Sequence, residues 1–329
     1  MQRNTLFALG LALVGACLTL SAPLAKAQAP LPDAANRPIR FVVPFPPGSG
    51  TDTSARYFAR KLTELSGQPV VVDNRAGGNG FIAVRAVLAA PADGSTVFVG
   101  SNSTLAVNAA LFKSLPYDPV ADFAPLSMLM RSPALLVVPG QAEQQSLGDL
   151  INAARARPDG LNYGAGSAGY QLMAELFNDA ARVQTHHVPF KGAGEAVTAV
   201  VGGTVQFAFA ETTSAQELIK GGKLKALAVA SERRVPALPQ IPTATEAGLP
   251  GFSAYTWVAA MVSAKTPRTE VDRLAAWFTR IEGLPETREF YERLGAEVMS
   301  GGPDEMRAFQ ASEIQLWKRI AQKARVELQ

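Results

Sequence analysis

Three loops of this chain carry glycines and polar groups suited to binding a small anion. The first loop, residues 44–52, follows an apolar run and opens a helical pattern. Gly48 and Gly50 let its backbone approach a ligand closely. We expect Thr51 or Asp52 to cap the helix, whose free N–H groups form an anion site. No Gly-Lys-Ser/Thr follows, so the loop does not predict nucleotide binding.

The second and third loops repeat this chemistry. Residues 100–104 present four polar side chains in succession, and residues 163–170 are rich in glycine. All three loops follow apolar runs and precede helices. In α/β folds, loops in this position line a ligand crevice outside the carboxyl ends of the parallel strands. Neutral hydroxyls and backbone N–H groups hold a carboxylate and still allow its release. The loops therefore predict a carboxylate site.

The elements that must position these loops alternate along the chain. Apolar runs are separated by helical patterns, an order typical of an α/β fold. Most runs are unbroken, which predicts strands of a parallel sheet covered on both faces. We predict strands at residues 39–43, 70–72, 96–99, 135–138, 187–189, 205–209, 226–230 and 257–262.

Capping signals place the helices. Ser146, followed by Asp149, predicts a capped helix start. Thr266-Pro267 and Gly302-Pro303 each look like a cap followed by proline at the first helical position. Further helices are predicted at residues 51–65, 171–180, 192–201 and 214–220. We expect the last helix to bury Met306, Phe309, Leu316, Trp317 and Ile320.

The N-terminal residues predict export. Arg3 precedes an apolar run over residues 6–20 and a small-x-small site ending at Ala27, the order of a cleaved secretory signal peptide. The run is shorter than the roughly 20 residues of a membrane anchor. Cys17, the only cysteine, loosely fits a lipoprotein cleavage site. We favour a signal peptide over residues 1–27, a proline-rich linker over residues 28–36 and a periplasmic location.

Composition excludes several classes of function. Without residues 1–27 the chain is nearly neutral and lacks the clustered Lys and Arg of nucleic-acid-binding proteins. No cysteine remains, so we expect no disulfide and no Cys-ligated metal. His186 and His187 are adjacent and would point to opposite faces of a strand. We therefore expect no metal, no cofactor and no nucleic-acid partner. A length near 300 residues predicts two domains.

Several segments of the chain occur together in a known family. Residues 43–48 read Val-Pro-Phe-Pro-Pro-Gly and residues 187–192 read His-Val-Pro-Phe-Lys-Gly. The full set of matching segments is residues 38–52, 67–75, 115–125, 161–164, 187–192 and 242–251. In this order they resemble the Bug family, the extracytoplasmic substrate-binding proteins of tripartite tricarboxylate transporters.

The resemblance implies a type II periplasmic-binding-protein fold, in which two α/β lobes joined by a hinge close on a small carboxylate. It implies that residues 37–134 plus 254–329 form lobe 1 and that residues 135–253 form lobe 2. The implied partners are a small carboxylate ligand and the membrane subunits of a tripartite transporter. We expect the protein itself to be a monomer without catalytic residues.

The resemblance also implies ligand contacts, because in the family the loops of both lobes hold the ligand's carboxylate, partly through water. Carried over by position, the contacts are Phe45, Gly48, Ser49, Asp52, Ser101, Thr104, Gly166, Ser167 and Gly169. From the chemistry of the same loops we add Thr51, Ser103 and Ala168.

The chain departs from the family pattern in these loops. Family members often have histidine where Leu105 and Gln171 stand, and commonly have Asp-Asn where this chain has Ala210-Glu211. Glu211 has two interpretations. Facing the crevice, it would pair with an amino or ring N–H group of the ligand and repel a second carboxylate. Otherwise it is a solvent-facing cap of the following helix.

Two further residues are ambiguous from sequence. Trp257 lies where the chain should return to lobe 1, so it either contacts the ligand or packs at the hinge. Lys191 is either a cation of the crevice or a turn residue. Neither alternative is decided by the residue types alone.

The function predicted from these features is capture of a small carboxylate by a solute receptor of a tripartite transporter. The alternative is a periplasmic sensor that presents its loaded form to a membrane signalling receptor, because both functions use the same two-lobed trap. A secreted enzyme finds no support, since the sequence shows no recognisable nucleophile–base pair and no metal cluster.

Overall fold

The structure is a computed structural model that describes residues 37–158 and 160–329. The predicted signal peptide, the linker and Cys17 lie outside the described residues. None of the helices in the described part of the chain has the length and hydrophobicity to cross a bilayer.

Strands and helices alternate along most of the chain. The strands are β1 (Ile39–Val43), β2 (Val70–Asn74), β3 (Thr96–Ser101), β4 (Phe123–Pro133), β5 (Leu135–Pro139), β6 (Asn162–Ala165), β7 (His186–Pro189), β8 (Phe207–Ala210), β9 (Leu224–Val229), β10 (Tyr255–Ser263) and β11 (Glu297–Val298). The helices are α1 (Gly50–Ser66), α2 (Phe81–Leu88), α3 (Asn108–Leu111), α4 (Leu147–Ala156), α5 (Ala168–Ala181), α6 (Ala193–Val201), α7 (Thr212–Lys220), α8 (Arg268–Glu282), α9 (Pro285–Arg293) and α10 (Pro303–Lys323).

The first sheet has six strands in the order β11-β4-β10-β3-β1-β2. β1 runs parallel to β2 and β3, whereas β10 runs antiparallel to β3 and β4. A stack of rings from β1, α1 and α8 fills one face of this sheet: Phe278 lies 5.8 Å from Phe41 and 5.4 Å from Phe58, measured between ring centroids. We call this sheet with its helices the first lobe.

The second sheet has five strands in the order β7-β6-β8-β5-β9. β6 is parallel to β7 and β8, and β5 is antiparallel to β8 and β9. Phe177 of α5 packs edge-on against Phe207 and Phe209 of β8. We call this sheet with its helices the second lobe. The parallel sheet predicted from the unbroken apolar runs is therefore wrong in detail, since both sheets are mixed.

The chain passes between the two sheets at two adjacent crossings. Pro133 ends β4 and Leu135 begins β5, while the return crossing precedes β10. Backbone hydrogen bonds join the crossings: Ala134 N–H donates to Ala254 O, Ala254 N–H to Ala230 O and Ala230 N–H to Ala134 O, at 2.8–3.0 Å. The two crossings thus form one hydrogen-bonded hinge between the lobes.

Three sequence predictions about helices need correction. Ser49, not Thr51 or Asp52, is the N-cap of α1, and its Oγ accepts the Asp52 N–H. Pro267 is the N-cap of α8 and not its first residue. Leu316 is 39% exposed, since it lies off the buried face of α10, which includes Gln310, whose side chain donates to two backbone carbonyls.

Candidate functional site

A crevice between the lobes is lined by all three predicted loops. It consists of an inner cavity of about 20 Å³ and an outer cavity of about 390 Å³. Both cavities are lined by Phe45, Ser103, Gly166 and Ser167, so they adjoin each other. The residues that line the inner cavity come from both lobes, and with the lobes in contact its free space is about that of one water molecule, whereas the outer cavity has room for a small solute.

The first loop is held in shape by the Asp52 carboxylate. Asp52 is 2% exposed and accepts hydrogen bonds from Gly48 N–H at 2.9 Å and from Asn74 Nδ2 at 2.8 Å. Asn74 also donates to Phe45 O, and Arg56 donates to the same carboxylate. Gly48 has φ of +86°, which favours glycine. Asp52 therefore orients the loop from behind the cavity wall.

The second loop combines internal hydrogen bonds with one buried amide donor. Thr104 Oγ1 accepts the Ser101 N–H and donates to Ser101 O, while Ser101 Oγ accepts the Ser103 N–H. Asn102 is 1% exposed and lines the inner cavity, and its Nδ2 has no hydrogen-bond partner among residues 37–158 and 160–329. Buried amide donors are nearly always paired. An unpaired donor in a cavity wall is therefore suited to bind an acceptor group of a ligand.

The third loop makes hydrogen bonds to the second loop across the crevice. Ser167 is the N-cap of α5, with its Oγ accepting the Tyr170 N–H. Ser103 Oγ donates to Ser167 Oγ and accepts the Gly169 N–H, both at 3.0 Å. Ser103 belongs to the first lobe, whereas Ser167 and Gly169 belong to the second. The lobes are therefore in direct contact at this point.

Glu211 makes a second contact between the lobes. It follows β8, is 7% exposed and extends its carboxylate to the start of α1, where Oε1 accepts the Gly50 N–H at 2.6 Å. Oε2 accepts the Tyr170 hydroxyl at 2.5 Å. Burial, and then the neighbouring Glu211 charge, raise the pKa of Tyr170 well above its usual value, so its hydroxyl stays a donor. Glu211 is the N-cap residue of α7, as its second interpretation required, but its side chain is buried and makes no cap hydrogen bond, so the solvent-facing part of that interpretation is wrong.

Eight of the predicted site residues line the inner cavity, and six do not line either cavity. The eight are Phe45, Ser49, Thr51, Ser101, Ser103, Gly166, Ser167 and Glu211. The six are Gly48, Asp52, Thr104, Ala168, Gly169 and Trp257. Ligand contact by any of the fourteen stays a prediction.

Trp257 has a packing role in the structure. Its side chain is 2% exposed, and its Nε1 donates to Glu313 Oε2 at 2.7 Å. Its ring packs edge-on against Phe309 of α10. These contacts correspond to the hinge-packing alternative for Trp257. Lys191, in contrast, is exposed and lines the outer cavity.

Sequence reasoning missed several residues that line the inner cavity. They are Asn102, Tyr170, Ala193, Thr256 and Val258. Asn102 and Tyr170 lie inside two of the predicted loops, so their position in the sequence was sufficient to predict that they line the crevice. Thr256 and Val258 lie on β10, and nothing in their local sequence distinguishes them from core residues.

Metal binding has no structural basis in the described residues. No group of three or more His, Cys, Asp or Glu in that part of the chain is placed to hold an ion. The ring of His187 stacks on Tyr163 at 5.4 Å between centroids, and burial lowers the pKa of His187. His187 therefore has a packing role in the second lobe.

A family model described as the tripartite tricarboxylate transporter family receptor, TctC, matches residues 54–326. The chain belongs to the TctC family. A UPF0065 protein in the tcbD-tcbE intergenic region of Pseudomonas sp. (strain P51) is 36% identical over 311 residues, covering 94% of this chain and 92% of the relative. BugT of Bordetella pertussis is 36% identical over 295 residues, covering 89% and 90%. The predicted resemblance to the Bug family is confirmed.

Solved structures of TctC-like proteins share the fold. An R. palustris protein with adipate superimposes with a TM-score of 0.87 at 33% identity, covering 90% of this chain and 100% of that protein. MatC from Rhodopseudomonas palustris with bound malate gives a TM-score of 0.81 at 32% identity, covering 86% and 98%. The periplasmic binding protein BugD gives 0.83 at 29% identity, covering 89% and 99%. The predicted two-lobed fold of periplasmic binding proteins is confirmed.

Proposed function

We propose that this protein is a periplasmic solute-binding protein that captures a small carboxylate-bearing organic solute between its two lobes. The observation that carries the proposal is the crevice, where hydroxyl and N–H groups of three loops from both lobes converge. Similar proteins bind adipate and malate, which are small carboxylates of this kind. The role is binding without a catalytic step, and the recipient of the solute is the membrane part of a tripartite transporter.

Capture requires that ligand binding and lobe contact be linked. A ligand that touches both lobes favours the closed arrangement by its differential affinity for the two states. Ser103 and Ser167, which bond to each other across the crevice, lie in the wall of both cavities. A solute held there replaces or adds to contacts between the lobes.

A thermal-shift screen tests the proposal with the chain from Gln28 onward. The panel contains mono- and dicarboxylates, aromatic acids, amino acids and nitrogen-ring carboxylates. A ligand at 100 times its dissociation constant adds about 2.7 kcal/mol to the free energy of unfolding, which raises the melting temperature by about 5 °C in a protein of this size. A panel without any shift contradicts carboxylate capture.

A matched pair of glycine variants locates the binding. A Cβ at Gly169 would lie 2.8 Å from Ser103 Oγ and 3.0 Å from Asn102 Nδ2, whereas a Cβ at Gly194 has nothing within 4 Å. Both glycines lie in the first turn of a helix. We expect Gly169→Leu to abolish the ligand-induced shift and Gly194→Leu to retain it. Equal shifts in both variants would place the ligand outside the crevice.

A further inference from the structure

The inner end of the crevice contains a buried carboxylate without a cation. Both oxygens of Glu211 accept hydrogen bonds, but from the neutral Gly50 N–H and Tyr170 O–H. Among the described residues, Glu211 forms no ion pair, and no Lys or Arg lines the inner cavity. A buried charge is costly unless it is paired. Glu211 is therefore stabilised by neutral donors, one of them at the start of α1, and no full positive charge lies beside it among the described residues.

Glu211 also occupies the position where an anion would bind to α1. Its Oε1 lies 2.6 Å from the Gly50 nitrogen, the first N–H of that helix. A Cβ built on Gly50 would lie 3.0 Å from the Glu211 carboxyl carbon, so this carboxylate packs directly on the backbone. A ligand carboxylate at the same N–H group would overlap sterically with the Glu211 carboxylate and would be repelled by its charge.

A donor without an acceptor lines the same cavity. Asn102 is buried, and its Nδ2 has no hydrogen-bond partner in the described part of the chain. Asn102 also lies beside the third loop, where a Cβ on Gly169 would come within 3.0 Å of that nitrogen. The Ser103 and Ser167 hydroxyls line the cavity at this side. Within the part of the chain that the structure describes, Glu211 therefore has neutral donors only and Asn102 Nδ2 is an unpaired donor.

We propose that Glu211 and Asn102 make this crevice selective for a small zwitterion. The cationic N–H group of the ligand donates to Glu211, and the ligand's carboxylate accepts from Asn102 Nδ2. The inference rests on the proposed function and narrows it from carboxylic acids in general to acids that carry an ammonium or a protonated ring nitrogen. Glu211 is then a specificity-determining residue, because it excludes a plain carboxylate from the first turn of α1.

Titration calorimetry with matched acids tests the inference. The probes are aspartate with succinate, glutamate with glutarate, and proline with cyclopentanecarboxylate, since each pair differs at the nitrogen. We expect an amine-bearing acid to bind at least 10-fold more tightly than its partner. Glu211→Gln should reduce this ratio at least 10-fold, whereas Asn102→Ala should weaken both members of the pair. If Glu211 had a merely structural role, Glu211→Gln would weaken the binding of both members of each pair and leave their affinity ratio unchanged.

Glu217→Gln is the matched control, because Glu217 lies on α7 and its side chain is 85% exposed. It should leave every affinity unchanged, and melting curves show whether each variant is folded. The inference is overturned if the plain acids bind more tightly and Glu211→Gln raises their affinity, because the ligand's carboxylate then competes with Glu211. In that case the proposed receptor function still stands. If no acid of either kind binds, both the inference and the proposed function are wrong.

Discussion

Replacing Asp52 with asparagine should weaken ligand binding without a change in any residue that lines the crevice. Asp52 Oδ2 accepts Gly48 N–H and Arg56 Nε, and Oδ1 accepts Asn74 Nδ2. Asparagine keeps one acceptor oxygen and places an NH₂ group where the other oxygen was. If the remaining oxygen still faces Asn74, the Gly48 N–H loses its acceptor and faces a donor.

The magnitude follows from the lost contacts. A hydrogen bond to a charged group contributes about 1.5–3 kcal/mol, and Arg56 is half exposed and regains water. We therefore expect Asp52→Asn to lower the free energy of unfolding by about 2 kcal/mol, which lowers the melting temperature by about 3–4 °C. If the first loop then adopts its binding shape in roughly a tenth of molecules, the apparent dissociation constant rises about 10-fold.

Urea denaturation and titration calorimetry with the acid found in the thermal-shift screen measure both effects. Asp118→Asn is the control, because Asp118 accepts backbone N–H groups of Val120 and Ala121 in an exposed turn away from the crevice. It should lower stability and leave affinity unchanged. Unchanged stability and affinity in Asp52→Asn would refute the assignment of Asp52 as the residue that holds the first loop.

Three further substitutions have defined outcomes. Ser167→Ala removes the N-cap of α5 and the acceptor of the Ser103 hydroxyl, so it should lower stability by about 1 kcal/mol and weaken binding in calorimetry. Ser146→Ala, at the capping box of α4, should lower stability similarly and leave affinity unchanged; a loss of affinity in both would contradict the site. Burial raises the pKa of Glu282 to about 8, so the folded state keeps the acid protonated while the unfolded state ionises near its ordinary pKa. The free energy of unfolding of the parent should therefore fall as the pH rises from about 4.5 to about 8. Glu282→Gln removes this loss, so its free energy of unfolding should gain about 4 kcal/mol relative to the parent between pH 5 and pH 8. If urea denaturation gave the same pH dependence for parent and variant, the buried protonated Glu282 would be contradicted.

Local signals predicted the elements that depend on local interactions. β1 occupies the predicted residues 39–43 because its apolar run stops at Pro44. Ser146 and Asp149 form the predicted capping box, and Pro303 is the first residue of α10 behind Gly302. Strand direction was not predictable in the same way. β10 runs antiparallel because the chain re-enters the first sheet from the second lobe, and that route is a property of the whole fold.

The loops of the site were predictable, but the direction of their side chains was not. Asp52 turns to Arg56 and Asn74, while Asn102 turns into the inner cavity. The burial of Glu211 depends on donors that lie 161 residues away at Gly50 and 41 residues away at Tyr170. No local pattern around Glu211 reports these partners, since only the packing of the two lobes brings them together.

Capture between the lobes is tested by a crystal structure of the chain from Gln28 onward with the acid that gives the largest thermal shift. We expect the ligand between the lobes, with its carboxylate in hydrogen-bond contact with the second loop of the first lobe and the third loop of the second lobe. A ligand bound on the outer surface of one lobe, or in contact with only one lobe while the crevice is empty, would contradict it.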